Sequence, residues 1–439
     1  MTIEKVTSTT LAFTENGVLL RYYYAFRNAT PDSIVTSIQL SFPFRIEGAK
    51  ARDKNGEISV SPSKVISPHT PITISLRHPV SFGQKYAFTL SALFSPEEGF
   101  GRWKNTFVMD WGKENLDEII FIKTRPLFVS GIGKWEKQGE SFILTPARGW
   151  KSLIGHSRKG KTIRFEWGDP PKFHLMEEFT LRSPNSLENV RVKFFIPKET
   201  ENHYSRIISG KCDVVLDPSK NLEATAVMDQ VDDNTWKYRI IYEVIQKPRK
   251  PVPETFGRLS TVVQVGKKYP DLIRETDLLD FSDPGIKTIS SSIRKTSDDL
   301  KAVLKLAFEF VNQKVQYMEN GERWCASRVL KDRRGDCSEF SDLFISILRG
   351  MGIPAFGVLG YVVDLREKNV SYHEWAKVLT GEGWLPFDPT WGYFGSVGIS
   401  HIEVAHEIHG HETWYSGFKA LGDLSNAQTK TQVSLVNDL

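Results

Sequence analysis

The chain has 439 residues, enough for about two to four domains, and its 40% apolar and 12% aromatic residues can fill sizeable cores. A net charge of +4 is modest, and the basic clusters at 158–164 and 247–250 are too short to mark a nucleic-acid binder. The first twenty residues lack a basic start followed by an apolar run, and no stretch of about 18 apolar residues occurs, so neither a signal peptide nor a membrane association is expected. Three cysteines, an odd count, fit reduced thiols and a cytoplasmic setting.

Before residue 280 the chain reads as strands with turn punctuation. Segments 19–26, 34–42, 70–76, 86–93, 118–122 and 162–167 are rich in β-branched and aromatic residues, which predicts a β-sandwich module over 1–168. The paired prolines Pro170 and Pro171 stop a ladder and mark a boundary. A second β-sandwich module is expected over 171–268, with strands near 188–196, 206–216, 222–228 and 235–246. A faint internal likeness, Arg27-Asn-Ala-Thr with Ile38-Gln-Leu-Ser-Phe-Pro against Arg182-Ser-Pro-Asn with Val192-Lys-Phe-Phe-Ile-Pro, allows that one sandwich is repeated. The proline-rich run 247–253 reads as an extended connector, and 259–265 as a closing strand.

Helical periodicity begins at Pro284. Ser297 is the expected N-cap of a helix whose apolar positions are Leu300, Val303, Leu304, Ala307, Phe308 and Val311. A third, α+β domain is placed at 275–424, and the polar residues 425–439 are expected to be a flexible tail.

Cys337 lies in Arg333-Arg-Gly-Asp-Cys-Ser-Glu-Phe340, ahead of a helical stripe at Phe340, Leu343, Phe344, Ile347 and Leu348. The thiol therefore sits in a first turn, where unpaired backbone N–H groups favour a thiolate and can hold an oxyanion. Asp336 is the expected N-cap, and Glu339 a first-turn charge that suits the helix dipole. Downstream, 372–379 and 384–388 flank Thr380-Gly-Glu-Gly383, a hairpin signal. If Leu379 pairs with Trp384, then His373 and Asp388 become diagonal neighbours on one face, near enough for the carboxylate to orient the imidazole. Trp375, Trp384 and Trp391 read as core and rim aromatics around them.

Arg-Arg-Gly-Asp-Cys337, Leu348-Arg-Gly-Met-Gly-Ile-Pro-Ala355, His373-Glu-Trp-Ala and Gly383-Trp-Leu-Pro-Phe-Asp-Pro-Thr390 resemble the core of the transglutaminase-like superfamily, over about residues 280–420. The resemblance implies a papain-like catalytic domain following the two sandwich modules. It makes Cys337 the nucleophile, His373 the base and Asp388 the orienting acid of an acyl-transfer reaction on peptide or glutamine amide bonds. A second oxyanion donor upstream of the thiol is implied, with Tyr317 or Trp324 in position to supply it. No Cys-x-x-Cys zinc site of the peptide N-glycanase kind is present, and no calcium-loop pattern, so no metal or cofactor is expected and hydrolysis is preferred. A cross-linking transglutaminase and a non-catalytic scaffold with a relic triad are the alternatives. The expected partner is a protein or peptide substrate. His401, His406, His409 and His411, interleaved with glutamates, lack zinc spacing and are expected to form a solvated strand and loop. Cys325 is expected to be inert.

Overall fold

The structure, a computed structural model, describes the chain except residues 1–2, 15–16, 43–45, 63–69, 95–100, 112–115, 125, 131–132, 147–155, 158–159, 162, 217–220, 320, 409–416 and 437–439. It is mostly β, with several separate sheets and few helices. The chain divides into two compact units, Met1–Ile154 with Thr162–Asp169, and Gly155–Lys161 with Pro170–Leu439.

Strict alternation builds the first unit. Along Lys85–Phe94, Tyr86, Phe88, Leu90, Ala92 and Phe94 are buried and the residues between them are not, the signature of a strand with one face on a core. That strand and Gly17–Asn28 lie centrally in an eight-stranded sheet. The inner face meets a four-stranded sheet through Phe13, whose ring lies 4.8 Å from Trp167. Ile38, Ile72 and Ile74 of a three-stranded sheet join the same core. Full burial of one such apolar side chain stabilises by roughly 1.5–3 kcal/mol.

The second unit opens with another pair of sheets. Lys172–Arg182 and Thr235–Gln246 pair over eleven residues, and Phe179 packs on Phe194 of the facing sheet with ring centroids 4.5 Å apart. Four helices follow the short helix α1 (Leu259–Gly266): α2 (Pro284–Arg294), α3 (Leu300–Lys314), the short α4 (Ala326–Asp332) and α5 (Cys337–Gly350). A five-stranded sheet completes the unit in the order Tyr393–Phe394, Gly383–Asp388, Asn369–Thr380, Ala355–Asp364, His401–Glu407. Helix α5 is buried along nearly its whole length, so it is a core helix rather than a one-sided one. Its buried Arg349 is satisfied by the carbonyls of Ala355, Arg274 and Ile408 at 3.0, 2.9 and 2.9 Å.

Four local expectations give way to the structure. Segment 259–265 is helix α1 rather than a closing strand, because its buried residues Leu259, Val262 and Gly266 fall at helical spacing. Asp299, not Ser297, caps α3 by accepting from the Lys301 N–H at 3.0 Å, while the Ser297 hydroxyl accepts from the Asp299 N–H. The polar tail is ordered: Gln428–Leu435 forms an edge strand on Lys172–Arg182, its backbone bonds requiring no apolar signal. Just before it, Gly417–Leu421 pairs with Glu188–Phe195, so the chain has already returned to the second pair of sheets before residue 424.

Polar contacts tie that pair of sheets to the five-stranded sheet within the unit. Glu177, on Lys172–Arg182, accepts from the hydroxyls of Tyr242, Tyr361 and Tyr372, each at 3.1 Å. Burial pushes its carboxyl up to about 7, against the three donors that pull it down. Asn221 lies against the edge strand His401–Glu407: its amide donates to the His406 carbonyl at 3.0 Å and accepts from the His406 N–H at 2.7 Å.

Candidate active site

Cys337 is the first residue of α5, and the turn before it is shaped by two carboxylates. Asp336 accepts from the Ser338 N–H at 2.8 Å, and Glu339 reaches back to accept from the Asp336 N–H at 2.8 Å, a reciprocal capping box. The other Glu339 oxygen accepts from the Trp324 backbone N–H at 3.0 Å. Gly335 is required here, since a Cβ on it would lie 2.4 Å from the Glu339 Cβ.

The hairpin adopts the register its spacing predicts, with Leu379 opposite Trp384 and Ala376 opposite Phe387. His373 Nε2 lies 2.8 Å from Asp388 Oδ2. The imidazole is also hydrogen bonded to Cys337, so the ring contacts both thiol and carboxylate. Burial alone would push the imidazolium down; the charge and hydrogen bond of Asp388, then the contact with Cys337, outweigh it and raise His373 to about 10. Asp388 is fully buried. Burial would raise its carboxyl, yet the His373 charge and the N–H donors of both histidines around it hold it well below the usual carboxylate range. Its Oδ1 accepts from the Thr390 and Trp391 N–H groups, both at 3.0 Å, and Asn312 of α3 donates to the Pro389 carbonyl at 2.7 Å, fixing this turn from behind.

The second histidine on Asp388 is His401, whose Nε2 lies 3.1 Å from the same Oδ2. Its side chain is wholly enclosed, among the rings of Trp375, Trp391 and Tyr393 at 5.1, 5.3 and 5.6 Å. Burial, with the nearby His373 charge adding to it, drives His401 down to about 4 despite its carboxylate partner. It is therefore a neutral imidazole donating one N–H to Asp388 near pH 7. The expected solvated strand is thus overturned: His401, Glu403 and Glu407 are buried, and Glu403 binds Lys377 at 2.6 Å and His406 at 2.5 Å. His409 and His411 lie outside the described residues. His373 Nε2, Asp388 Oδ2 and His401 Nε2 lie within 4.8 Å of one another, a spacing at which a metal ion could bind. Here both ring nitrogens are already engaged on one carboxylate oxygen.

A second buried polar cluster holds the surrounding elements. Arg323 meets Asp342 of α5 at 2.9 Å, Glu374 next to His373 at 3.2 Å, and Glu407 at 2.6 Å. Three carboxylates share one guanidinium, and burial pushes Asp342 up and Glu374 well up, toward their protonated forms. The cluster clamps α5, the His373 strand, the His401 strand and the loop that carries Trp324.

The other expected site residues divide. Tyr317 lies on a two-residue strand opposite Gly335, two positions ahead of the thiol. The backbone N–H of Trp324 is committed to Glu339, which leaves its indole as a donor; the ring is stacked under the Arg328 guanidinium at 3.9 Å. Trp375 and Trp391 surround the histidines, whereas Trp384 packs with Phe356 and Tyr269. All three cysteines are free thiols.

Comparison with known proteins agrees with this core. Residues 287–389 match the family model described as the Transglutaminase-like superfamily. An uncharacterized protein of Mycobacterium leprae (strain TN) is 31% identical over 113 residues, covering 24% of this chain and 40% of the relative. Uncharacterized protein YebA of Bacillus subtilis (strain 168) is 31% identical over 100 residues, covering 20% of this chain and 14% of the relative. The chain therefore spans well under two thirds of the length of these curated relatives. A solved structure from Cytophaga hutchinsonii, described as a candidate cysteine protease, aligns with a TM-score of 0.42 at 14% identity, over 62% of this chain and 93% of that one. The chain thus carries, at residues 287–389, a core domain of the transglutaminase-like superfamily.

Proposed function

We propose that the protein is a cysteine-dependent acyl-transfer enzyme, hydrolytic toward peptide or glutamine amide bonds. The observation that carries this reading is the imidazole of His373 contacting both Cys337 and a fully buried, ionised Asp388. In this mechanism the Cys337 sulfur attacks the amide carbonyl as a thiolate paired with the His373 imidazolium, which already holds the proton. Charge then develops on the carbonyl oxygen next to the start of α5. The Cys337 backbone N–H, which has no partner among the described residues, supplies one oxyanion contact, and the Tyr317 hydroxyl or Trp324 indole a second. His373 delivers its proton to the leaving amine, the C–N bond breaks and a thioester remains. Water, deprotonated by His373, resolves the thioester to a carboxylate and the free thiol. Asp388 fixes the imidazole throughout and His401 positions Asp388, as a donor that never needs to exchange its proton.

Mass spectrometry of the full chain incubated with a glutamine-rich protein, with and without a primary amine, tests the reading. A thioester-linked adduct on Cys337 and a gain of one water in the product support hydrolysis. Incorporation of the amine in preference to water replaces it with cross-linking, and no adduct on Cys337 with any acyl donor removes the enzymatic reading.

A further inference from the structure

The outer face of the eight-stranded sheet in the first unit holds the chain's excess positive charge. Away from the core, Gly17–Asn28 presents Arg21, Tyr23, Ala25 and Arg27, and Ile46–Asp53 presents Lys50 and Arg52. Between them runs Lys85–Phe94, which offers Ala87, Thr89 and Ser91, with Lys85 at its start. The register aligns Lys50 with Ser91 and Arg21, and Arg52 with Thr89 and Tyr23. A floor of small side chains one strand wide is thus walled by long cations roughly 10 Å apart, twice the spacing of neighbouring strands. The trough has a volume of about 1320 Å³.

Seven lysines and arginines line it against two acidic residues, a local net of +5 on a chain whose total is +4. The remainder of the chain is therefore close to neutral, and the imbalance is a property of this face. One of the two acids, Asp53, is already held by Arg77 at 3.1 Å and the Tyr86 hydroxyl at 2.6 Å. By contrast Arg21, Lys50, Arg52, Lys54 and Lys85 have no carboxylate partner among the described residues. Like charges gathered with few counter-charges raise the local potential, which attracts an anionic partner.

We propose that this trough binds an extended, acidic polypeptide segment, the segment's carboxylates meeting the two basic walls. Lys50 and Arg52 are two residues apart on one strand face, roughly 7 Å, which is also the spacing of same-side carboxylates at alternate positions of an extended chain. The narrow floor of alanine, threonine and serine accepts a backbone but offers little for bases to stack on. Single-stranded nucleic acid needs a succession of aromatic platforms, and here the exposed rings are Tyr23 and His78, on separate strands, with Phe26, Tyr86 and Phe88 buried beneath the floor. The proposal concerns binding alone and does not depend on Cys337 being a nucleophile.

The test is fluorescence anisotropy with the full chain and a labelled peptide of about twelve residues carrying glutamate at alternate positions. We expect saturable binding that weakens at least tenfold from low to physiological salt, as charge screening requires. The same peptide with glutamine for glutamate should not bind. Arg21→Glu combined with Arg52→Glu should lower affinity more than tenfold with an unchanged melting temperature, and Lys287→Glu, on α2 of the other unit, should leave it intact. If the first double variant does not fold, Lys50→Gln with Lys85→Gln gives the same reading. Equal binding of the glutamine peptide, an unaffected trough variant, or tighter binding of a single-stranded oligonucleotide or of polygalacturonate than of the acidic peptide would each overturn the proposal.

Discussion

Two sheets of this molecule carry charged side chains in opposite ways. In the first unit the strands of the eight-stranded sheet alternate cleanly, and their arginines and lysines stand on the outer face. In the five-stranded sheet of the second unit, Asn369–Thr380 is buried continuously from His373 to Thr380, and its charges lie inside, each against a partner. A cation on the open face costs little because water solvates it, whereas a buried charge must be answered by geometry. The difference teaches where chemistry is held in this chain: at positions where burial forces polar groups into fixed mutual contact.

The sharpest separation of the two sheets comes from the thiol site. Cys337→Ala should abolish adduct formation, and Asp388→Asn should keep the fold while slowing turnover by about three to four orders of magnitude, read as kcat. Adding Asp388→Ala to His373→Ala should cost little more than His373→Ala alone, since the two act as a unit. Near-normal turnover of Asp388→Asn would make Asp388 a hairpin residue only.

Exchanging Arg52 on the open sheet and Arg323, whose loop answers the buried carboxylates of the five-stranded sheet, compares the two directly. Arg323→Met strands three buried carboxylates and should destabilise by about 3–5 kcal/mol in urea unfolding, whereas Arg52→Met should leave the unfolding midpoint unchanged. Equal effects would erase the distinction drawn above.

A smaller effect is expected at His401. His401→Phe removes one donor from Asp388 and should lower kcat/KM by about ten- to a hundredfold, while His401→Gln, which keeps an N–H, should recover most of it. The pH profile provides the control that a merely structural role would not move. With His373 raised from 6.5 to about 10, its imidazolium persists to that value, while its contribution to stability is complete below about 6.5 and is lost as pH rises through about 10. Activity should therefore fall on an alkaline limb, and His401→Phe should displace that limb. Chelators should leave turnover unchanged, and added zinc should inhibit by taking the ring nitrogens of the two histidines.

The gentlest probe is Glu177. Its carboxyl is raised from the ordinary 4.5 to about 7, so the folded state retains a proton the unfolded chain has lost. That contribution is complete below about 4.5 and disappears as pH rises through about 7. Glu177→Gln should flatten the stability slope across this window in denaturant titrations at several pH values.

Much of the site was legible because its parts are local. The stripe after Cys337, the Asp336 cap and the Thr380-Gly-Glu-Gly383 turn are set by near neighbours in sequence, and the hairpin register followed from them. His401 was not legible. Alternating histidine and glutamate along 401–407 looks like a solvated face, and only contacts from distant Asp388, Asn221 and Lys377 show it to be interior. Arg323 was hidden for the same reason, its three partners lying between 19 and 84 residues away. The strand Gln428–Leu435 shows the complementary limit: polar edge residues pair through the backbone, which composition does not reveal.

The paired hydrogen bonds of Asn221 with His406 make one side-chain amide imitate a neighbouring strand. Gln246 and Arg249 do likewise for the carbonyl of His401, at 3.3 and 3.2 Å. The superfamily core is in this sense an unfinished sheet whose border is completed by residues earlier in the chain. A fragment excised at residue 275 would keep Cys337, His373 and Asp388 but carry a raw, adhesive margin beside His401. Its tendency to self-associate, and a looser grip on Asp388, would make the minimal core a poorer enzyme than its inventory of side chains suggests.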